Sequence, residues 1–243
     1  MRMLSFAKRC SKEILRDPIN IAFGLGFPVA LLFLLTAIQS SVPVDLFTIE
    51  RLCPGISVFG LSFMTLFSAT LVSRDRESLF LLRLYTTPMR SFDFILGYTL
   101  PLLPMAIAEG AICYAVGILL GLSPSVNIIC ALLLRIPVSL FYIALGLLFG
   151  SILNVKQVGG ICGALLTNLS AWLSGVWFDL SLVGGVFERI AKILPFLHAT
   201  EAERSIISGA FAYALPHLLI CSIYAVLTTV LAILLFLRQM KKG

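Results

Sequence analysis

Apolar residues run along the chain in six long blocks, at 19–38, 54–73, 94–122, 126–153, 157–178 and 214–237. Each meets the length of about 20 residues that a helix needs to cross a bilayer, and the third and fourth are long enough to tilt or kink. The pattern predicts an all-α, polytopic membrane protein with six transmembrane helices. The turn Ser123-Pro124-Ser125 joins the third span to the fourth.

Outside these blocks the period changes. Over 3–16, Met3, Phe6, Ala7, Cys10 and Ile14 share one helical face, with Leu4 at its edge, and Arg2, Lys8, Arg9, Lys12, Glu13 and Arg16 occupy the other. This predicts an N-terminal amphipathic interfacial helix over 1–18, its basic side toward the headgroups of an anionic leaflet. Pro18 ends it, because the residue before a proline avoids the helical region. A polar link with Pro43, Asp45 and Glu50 separates the first two spans.

The passage from Arg74 to Arg90 is charge-dense and lies between two apolar blocks. On a helix turning about 100° per residue, Arg76 and Arg83 fall together, with Leu79 and Leu82 to one side and Phe80 and Leu84 to the other. Leu81 and Tyr85 lie behind, so the apolar surface exceeds what one membrane contact covers. Two readings stay open: a surface connector whose arginines touch lipid phosphates, or a docking helix for another protein.

The connection from Asp179 to Tyr213 carries its own helical pattern. Phe187, Ile190 and Ile193/Leu194 face one way and Glu188, Arg189 and Lys192 the other, until Pro195 breaks the period. Thr200-Glu201-Ala202-Glu203 then reads as a capping box for a second short helix, which Gly209 ends. Two short external helices are predicted over 186–209, with Trp172 and Trp177 in the outer aromatic belt. They either plug or line the outer mouth of a pathway, with Phe187, Pro195, Glu201 and Arg204 as gate residues, or anchor at the interface.

Composition fixes the class. With 59% hydrophobic and 12% charged residues and a mean hydropathy of +1.03, a soluble fold is excluded. The net charge of +6 then reflects basic residues on one side of a bilayer rather than nucleic-acid binding. The N-terminal segment, the 74–93 loop, Lys156 and the tail hold 13 Lys and Arg, against Arg51, Arg189, Lys192 and Arg204 on the opposite side. That asymmetry places both termini and the 74–90 stretch in the cytoplasm. The basic residues before the first span continue to Arg16 and no A-x-A-like site follows Ile38, so the first span is expected to be uncleaved.

Two charges fall inside spans, Glu109 in the third and Arg135 in the fourth. Counted from the Ser123–Pro124 turn at 1.5 Å per residue, they lie about 21 and 17 Å deep, within reach of each other on antiparallel helices. A buried charge is tolerable in a pair, so they form an intramembrane ion pair or line a substrate path. Pro101, Pro104 and Pro137 are expected to kink their spans. Gly117/Gly121, Gly146/Gly150 and Gly159/Gly163 are small-residue pairs suited to close helix packing.

Six single cysteines without C-x-x-C spacing read as small buried hydrophobes, and His198 and His217 as structural. No H-E-x-x-H, G-x-S-x-G or phosphate-loop motif is present, so this chain carries no catalytic site and does not hydrolyse ATP by itself.

Three passages, in the setting of six spans in matching order, resemble the permease subunits of type-2 ABC exporters. They are Lys12-Glu13-Ile14-Leu15-Arg16-Asp17-Pro18; Arg74-Asp75-Arg76-Glu77 with Leu84-Tyr85-Thr86-Thr87-Pro88 and Ile95-Leu96-Gly97; and Leu194-Pro195-Phe196 with Glu201-Ala202-Glu203-Arg204. The first is similar to the family's opening amphipathic helix, the second to its cytoplasmic coupling helix, the third to its outer helices. One departure is Glu77-Ser78-Leu79, where the family often has Glu-Gly-Thr. The resemblance covers essentially the whole chain and implies one transmembrane domain over 1–243.

It also implies a separate soluble ATPase subunit, docked through Arg74, Arg76, Glu77, Leu79, Leu82, Arg83 and Tyr85 of the coupling helix and Lys12 and Arg16 of the N-terminal helix. ATP and Mg then belong to that partner, and no cofactor is bound by this chain. A second permease copy, identical or related, completes the pathway in the plasma membrane. An amphipathic or hydrophobic drug, peptide or lipid-like cargo is expected. The alternative is a stand-alone secondary transporter or channel, which favours more intramembrane polar residues and inverted repeats than this chain has. A membrane-embedded hydrolase lacks its motifs.

Overall fold

The computed structural model describes residues 2–41, 47–81 and 91–240; they are all-helical, with no strand among them. The interfacial segment is α1 (Arg2–Leu15), with Phe6, Ala7 and Cys10 buried. Asp17 caps the start of α2 (Pro18–Gln39), where Pro18 takes the first helical position and gives up a donor the helix has no use for. Pro28 withholds the N–H that would bond the Gly24 carbonyl, and the helix widens to a π turn over Ala22–Gly26.

The second span, α3 (Ile49–Glu77), is the axis of the molecule. Its most apolar window is 89% buried, against 22% for α2 and for the last span, α11 (Phe211–Met240). The third span is α4 (Ser91–Leu119), which carries Pro101 and Pro104 internally. The fourth is divided into α5 (Val126–Leu134) and α6 (Ile136–Ile152), with Arg135 at the break. Pro137 causes the division: it has no N–H for the Leu133 carbonyl, and its ring crowds that group.

The contact between α3 and α6 is close and polar. Thr65 donates to the Tyr142 carbonyl at 2.8 Å and Ser68 to that of Ile143 at 2.9 Å. A β-carbon on Gly150 would come within 2.6 Å of the Ala69 carbonyl, so glycine is what permits the approach. The other glycine pairs differ. A β-carbon on Gly117 would come within 2.6 Å of the Cys53 sulfur, Gly121 sits at φ +110° in the turn after α4, and a β-carbon on Gly159 would meet nothing within 4 Å.

Among the described residues, five helices are long and apolar enough to span a membrane: α2, α3, Phe92–Leu119 of α4, Val126–Ile152 and Phe211–Arg238 of α11. The fifth apolar block is also helical, as α7 (155–173), and opens into a π-helix over Gly159–Leu166. Three glycines weaken its α propensity, while Lys156, Gln157 and Asn168 dilute its hydropathy. Six spans thus remain a fair description, five of them meeting the apolar criterion.

The connection to α11 holds α8 (Leu180–Val183), α9 (Gly185–Ile193) and α10 (Pro195–Ile207). The second external helix begins at Pro195 rather than at Thr200, because proline at its first position is already pre-set for helix. Thr200 is consequently a buried interior residue and no capping box forms there.

Candidate functional site

Four consecutive residues at the end of α3 bind four different neighbours. Successive helix positions differ by about 100°, so four of them sweep most of a full circle. All four find partners because α3 is surrounded. Arg74 pairs with Asp17 at 3.3 Å, at the junction of α1 and α2. Asp75 accepts both guanidinium nitrogens of Arg9 on α1 and, at 2.7 Å, the hydroxyl of Tyr98 on α4. Arg76 donates to the carbonyls of Ser151 and Leu153, the latter at 2.6 Å. Glu77 accepts the Val155 N–H at 2.8 Å.

Each link is chemically matched to its place. The last carbonyls of α6 lack helical partners and carry the negative end of its dipole, which the Arg76 guanidinium neutralises. The first N–H groups of α7 carry the positive end, which Glu77 meets. Asp75 is 1% exposed and therefore needs both of its partners. Arg9 lies 4.1 Å over the Phe80 ring, and Phe6 packs edge-on to Tyr98 at 4.9 Å. Burial works against the Arg9 charge, but hydrogen bonding and attraction to Asp75 raise its pKa above the ordinary value. The neighbouring Cys10 thiol is pushed up to about 12, chiefly by burial, and stays protonated.

This arrangement revises the single helix expected over 74–90. Arg74 to Glu77 are the last turn of α3, and Leu79 then adopts φ +59° with its side chain 58% exposed. That left-handed position after a helix end is normally a glycine position. Helical backbone resumes at Phe80, so the helix that carries Arg76 ends before it. Leu82, Arg83 and Tyr85 lie outside the described residues. Of the remaining docking candidates, Leu79, Lys12 and Arg16 are exposed, whereas Arg76 and Glu77 are bonded within the chain.

A second cluster lies buried between the spans. Arg135 and Glu109, both fully buried, meet at 2.9 Å. The same Arg135 nitrogen donates to the Ser57 carbonyl at 3.1 Å, and Nε faces Glu203 at 3.5 Å. Glu203 accepts the Tyr114 hydroxyl at 2.7 Å, and Glu109 the Cys113 thiol at 3.1 Å. A β-carbon on Gly60 would overlap the Glu109 carboxylate, and one on Gly110 the Arg135 guanidinium, so two glycines make the room.

Glu203 enters this cluster from α10. Phe196, Ala199, Glu203 and Ile206 recur at helical spacing along its buried side. That period, read across the supposed capping box, is the sequence signal that would have found Glu203. Asp75, Tyr98 and Tyr114 carried no comparable signal, because nothing local marks a tyrosine as the partner of a distant carboxylate.

The gate candidates separate. Glu201 and Arg204 pair at 2.9 Å, and Arg204 also donates to the carbonyls of Arg51 at 3.2 Å and Gly175 at 3.0 Å. Both border a cavity of about 590 Å³ that Trp177, Phe178 and Asp179 also line. At its rim, the Ser181 N–H and then its hydroxyl hold the Asp179 carboxyl below the usual range. Phe187 instead packs on Phe178 at 6.3 Å, and Pro195 is buried with its carbonyl toward Cys221.

The His198 and His217 rings pair through their Nδ1 atoms at 2.7 Å. No group of three or more His, Cys, Asp or Glu able to hold a metal occurs among the described residues.

A family model described as ABC-2 type transporter matches residues 2–208, a span that takes in both clusters and the helices between them. Among curated proteins, none matches the chain.

Proposed function

From the premise that the chain belongs to the ABC-2 type transporter family, and so is a multi-pass membrane permease that is not itself catalytic, we propose that it works as half of an ATP-driven exporter. A separate ATPase subunit docks beneath the 74–90 stretch and carries the ATP and Mg. A second permease copy, identical or related, completes the path. Both termini are cytoplasmic in the plasma membrane, following the excess of basic residues at the α1 end.

One observation supports this reading above the others. The first residues of the 74–90 stretch, Arg74 to Glu77, hold α1, the start of α2, α4, the end of α6 and the start of α7. A push on residues 78–90 is thereby delivered to most of the bundle at once. Leu79, Leu82, Arg83 and Tyr85 make the ATPase contact. Arg76 and Glu77 transmit the motion rather than touch the partner. At the opposite face, Glu201 and Arg204 border the mouth through which a hydrophobic or amphipathic cargo leaves.

Co-purification tests the docking. An ATPase subunit is expected to come down with the wild-type chain and to be lost from Leu79→Asp/Leu82→Asp. Transport that proceeds with no ATPase present would instead make the chain a stand-alone secondary transporter or channel.

A further inference from the structure

Beside the Arg74–Glu77 hub, α1 forms one wall of a pocket of about 650 Å³ lined by Ser5, Lys8, Arg9, Lys12, Glu13, Arg16, Asp17 and Arg74. Its charges do not balance. Glu13 is paired with Arg9 at 2.8 Å, and Asp17 with Arg74 at 3.3 Å. Asp75 at the hub also holds Arg9. Lys8, Lys12 and Arg16, spaced by four along one stripe, make no ion pair among the described residues. Three cations therefore face the pocket uncompensated.

The pocket continues into an apolar crevice. Glu13, Asp17 and Arg74 line both, and the rest of the crevice wall is mostly apolar, with Ile14, Ile21, Phe67, Leu71 and Met105 beside Asn20 and Thr70. The crevice is narrow, with room for little more than one water. It runs where the interfacial helix turns into the first span.

We propose that this composite is a binding site for an anionic phospholipid of the cytoplasmic leaflet. The phosphate sits against Lys8, Lys12 and Arg16, and one acyl chain lies along the crevice between α2, α3 and α4. The bound lipid pins α1 against the Arg9–Asp75 link. The assignment uses the cytoplasmic orientation proposed above but not the identity or presence of the ATPase, and it gives Lys12 and Arg16 a lipid partner in place of a protein one. Each surface cation contributes about a five-fold gain in affinity for an anionic lipid, so three give roughly a hundred-fold preference over a zwitterionic one.

The full-length chain in detergent is titrated with phosphatidylglycerol, with phosphatidylcholine and with glycerophosphoglycerol, the headgroup without chains, while retained lipid and thermal stability are read. Wild type is expected to retain phosphatidylglycerol and gain thermal stability with it alone. Lys8→Gln/Lys12→Gln/Arg16→Gln loses roughly a hundred-fold in retention, and Lys8→Arg/Lys12→Arg/Arg16→Lys keeps it. Equal retention of the two lipids by wild type overturns the proposal even if the neutralised variant fails to fold. Equal binding of the chainless headgroup reduces the site to a free-phosphate site and removes the crevice from it. Unchanged lipid retention in the neutralised variant, together with loss of the ATPase, makes the stripe a protein-docking surface instead.

Discussion

The two charged clusters of this permease use the same side chains under opposite constraints. At the end of α3, Arg9, Arg74 and Arg76 face Asp17, Asp75 and Glu77 plus two free helix ends, and each charge has a nearby opposite. Several of those groups remain partly exposed; Arg9 keeps 35% and Arg74 45% of its side chain accessible. Between the spans, one guanidinium faces two carboxylates, and none of the three is more than 1% exposed. Apart from the buried Asp75, the hub is an exchangeable set of partly exposed contacts, where breaking one link costs less. The triad is a fixed constraint, because in low dielectric an unmatched charge is far more costly. A coupling element that must move suits the first design, and a helix that must stay docked suits the second.

The contrast is broken most easily at Arg135. Removing it leaves Glu109 and Glu203 facing each other without a cation, and Arg135→Gln is expected to cost about 3–5 kcal/mol, read by thermal or denaturant unfolding in detergent. Glu109→Gln leaves one acid for one base and is expected to cost clearly less. The Glu109→Gln/Arg135→Gln double variant recovers part of the loss but not all, since Glu203 stays unpaired; strict additivity would show that the two do not interact.

At the hub the effects are smaller. Asp75→Asn leaves Arg9 with Glu13 as its one carboxylate partner among the described residues and weakens the Tyr98 bond, with an expected loss of about 2 kcal/mol in the same unfolding assay. Arg76→Gln releases the end of α6 and is expected to cost about 1 kcal/mol, with faster hydrogen exchange confined to the last turn of that helix. The smallest change is at Leu79, where Leu79→Gly relieves a left-handed conformation and is expected to be neutral or stabilising by up to about 1 kcal/mol. A destabilising Leu79→Gly would mean that the exposed leucine makes a contact the left-handed turn exists to present.

Much of this was legible in the sequence where the signal is local and repeated. The apolar blocks, the amphipathic face of α1 and the depth match of Glu109 with Arg135 all rest on period and length. What escaped were end points and third partners. Proline set the start of α10 five residues before Thr200, and with that Glu203 moved from an outer cap to the buried triad. The hub escaped for another reason: Arg74 to Glu77 read as the start of a separate helix over 74–90, whereas the continuation of α3 to Glu77 turns each of them toward a different neighbour. Which residues are surrounded depends on packing around α3, and no window of sequence contains that.

The central claim is that motion delivered at residues 78–90 reaches the far side of the bundle through the Arg74–Glu77 hub. Hydrogen exchange in α10, measured on the permease with the proposed ATPase subunit bound, with and without ATP, tests this directly. ATP is expected to change exchange in both α1 and α10 of wild type, whereas Asp75→Asn still holds a hydrolysing ATPase but leaves α10 unresponsive. An α10 response of equal size in that variant would contradict the claim.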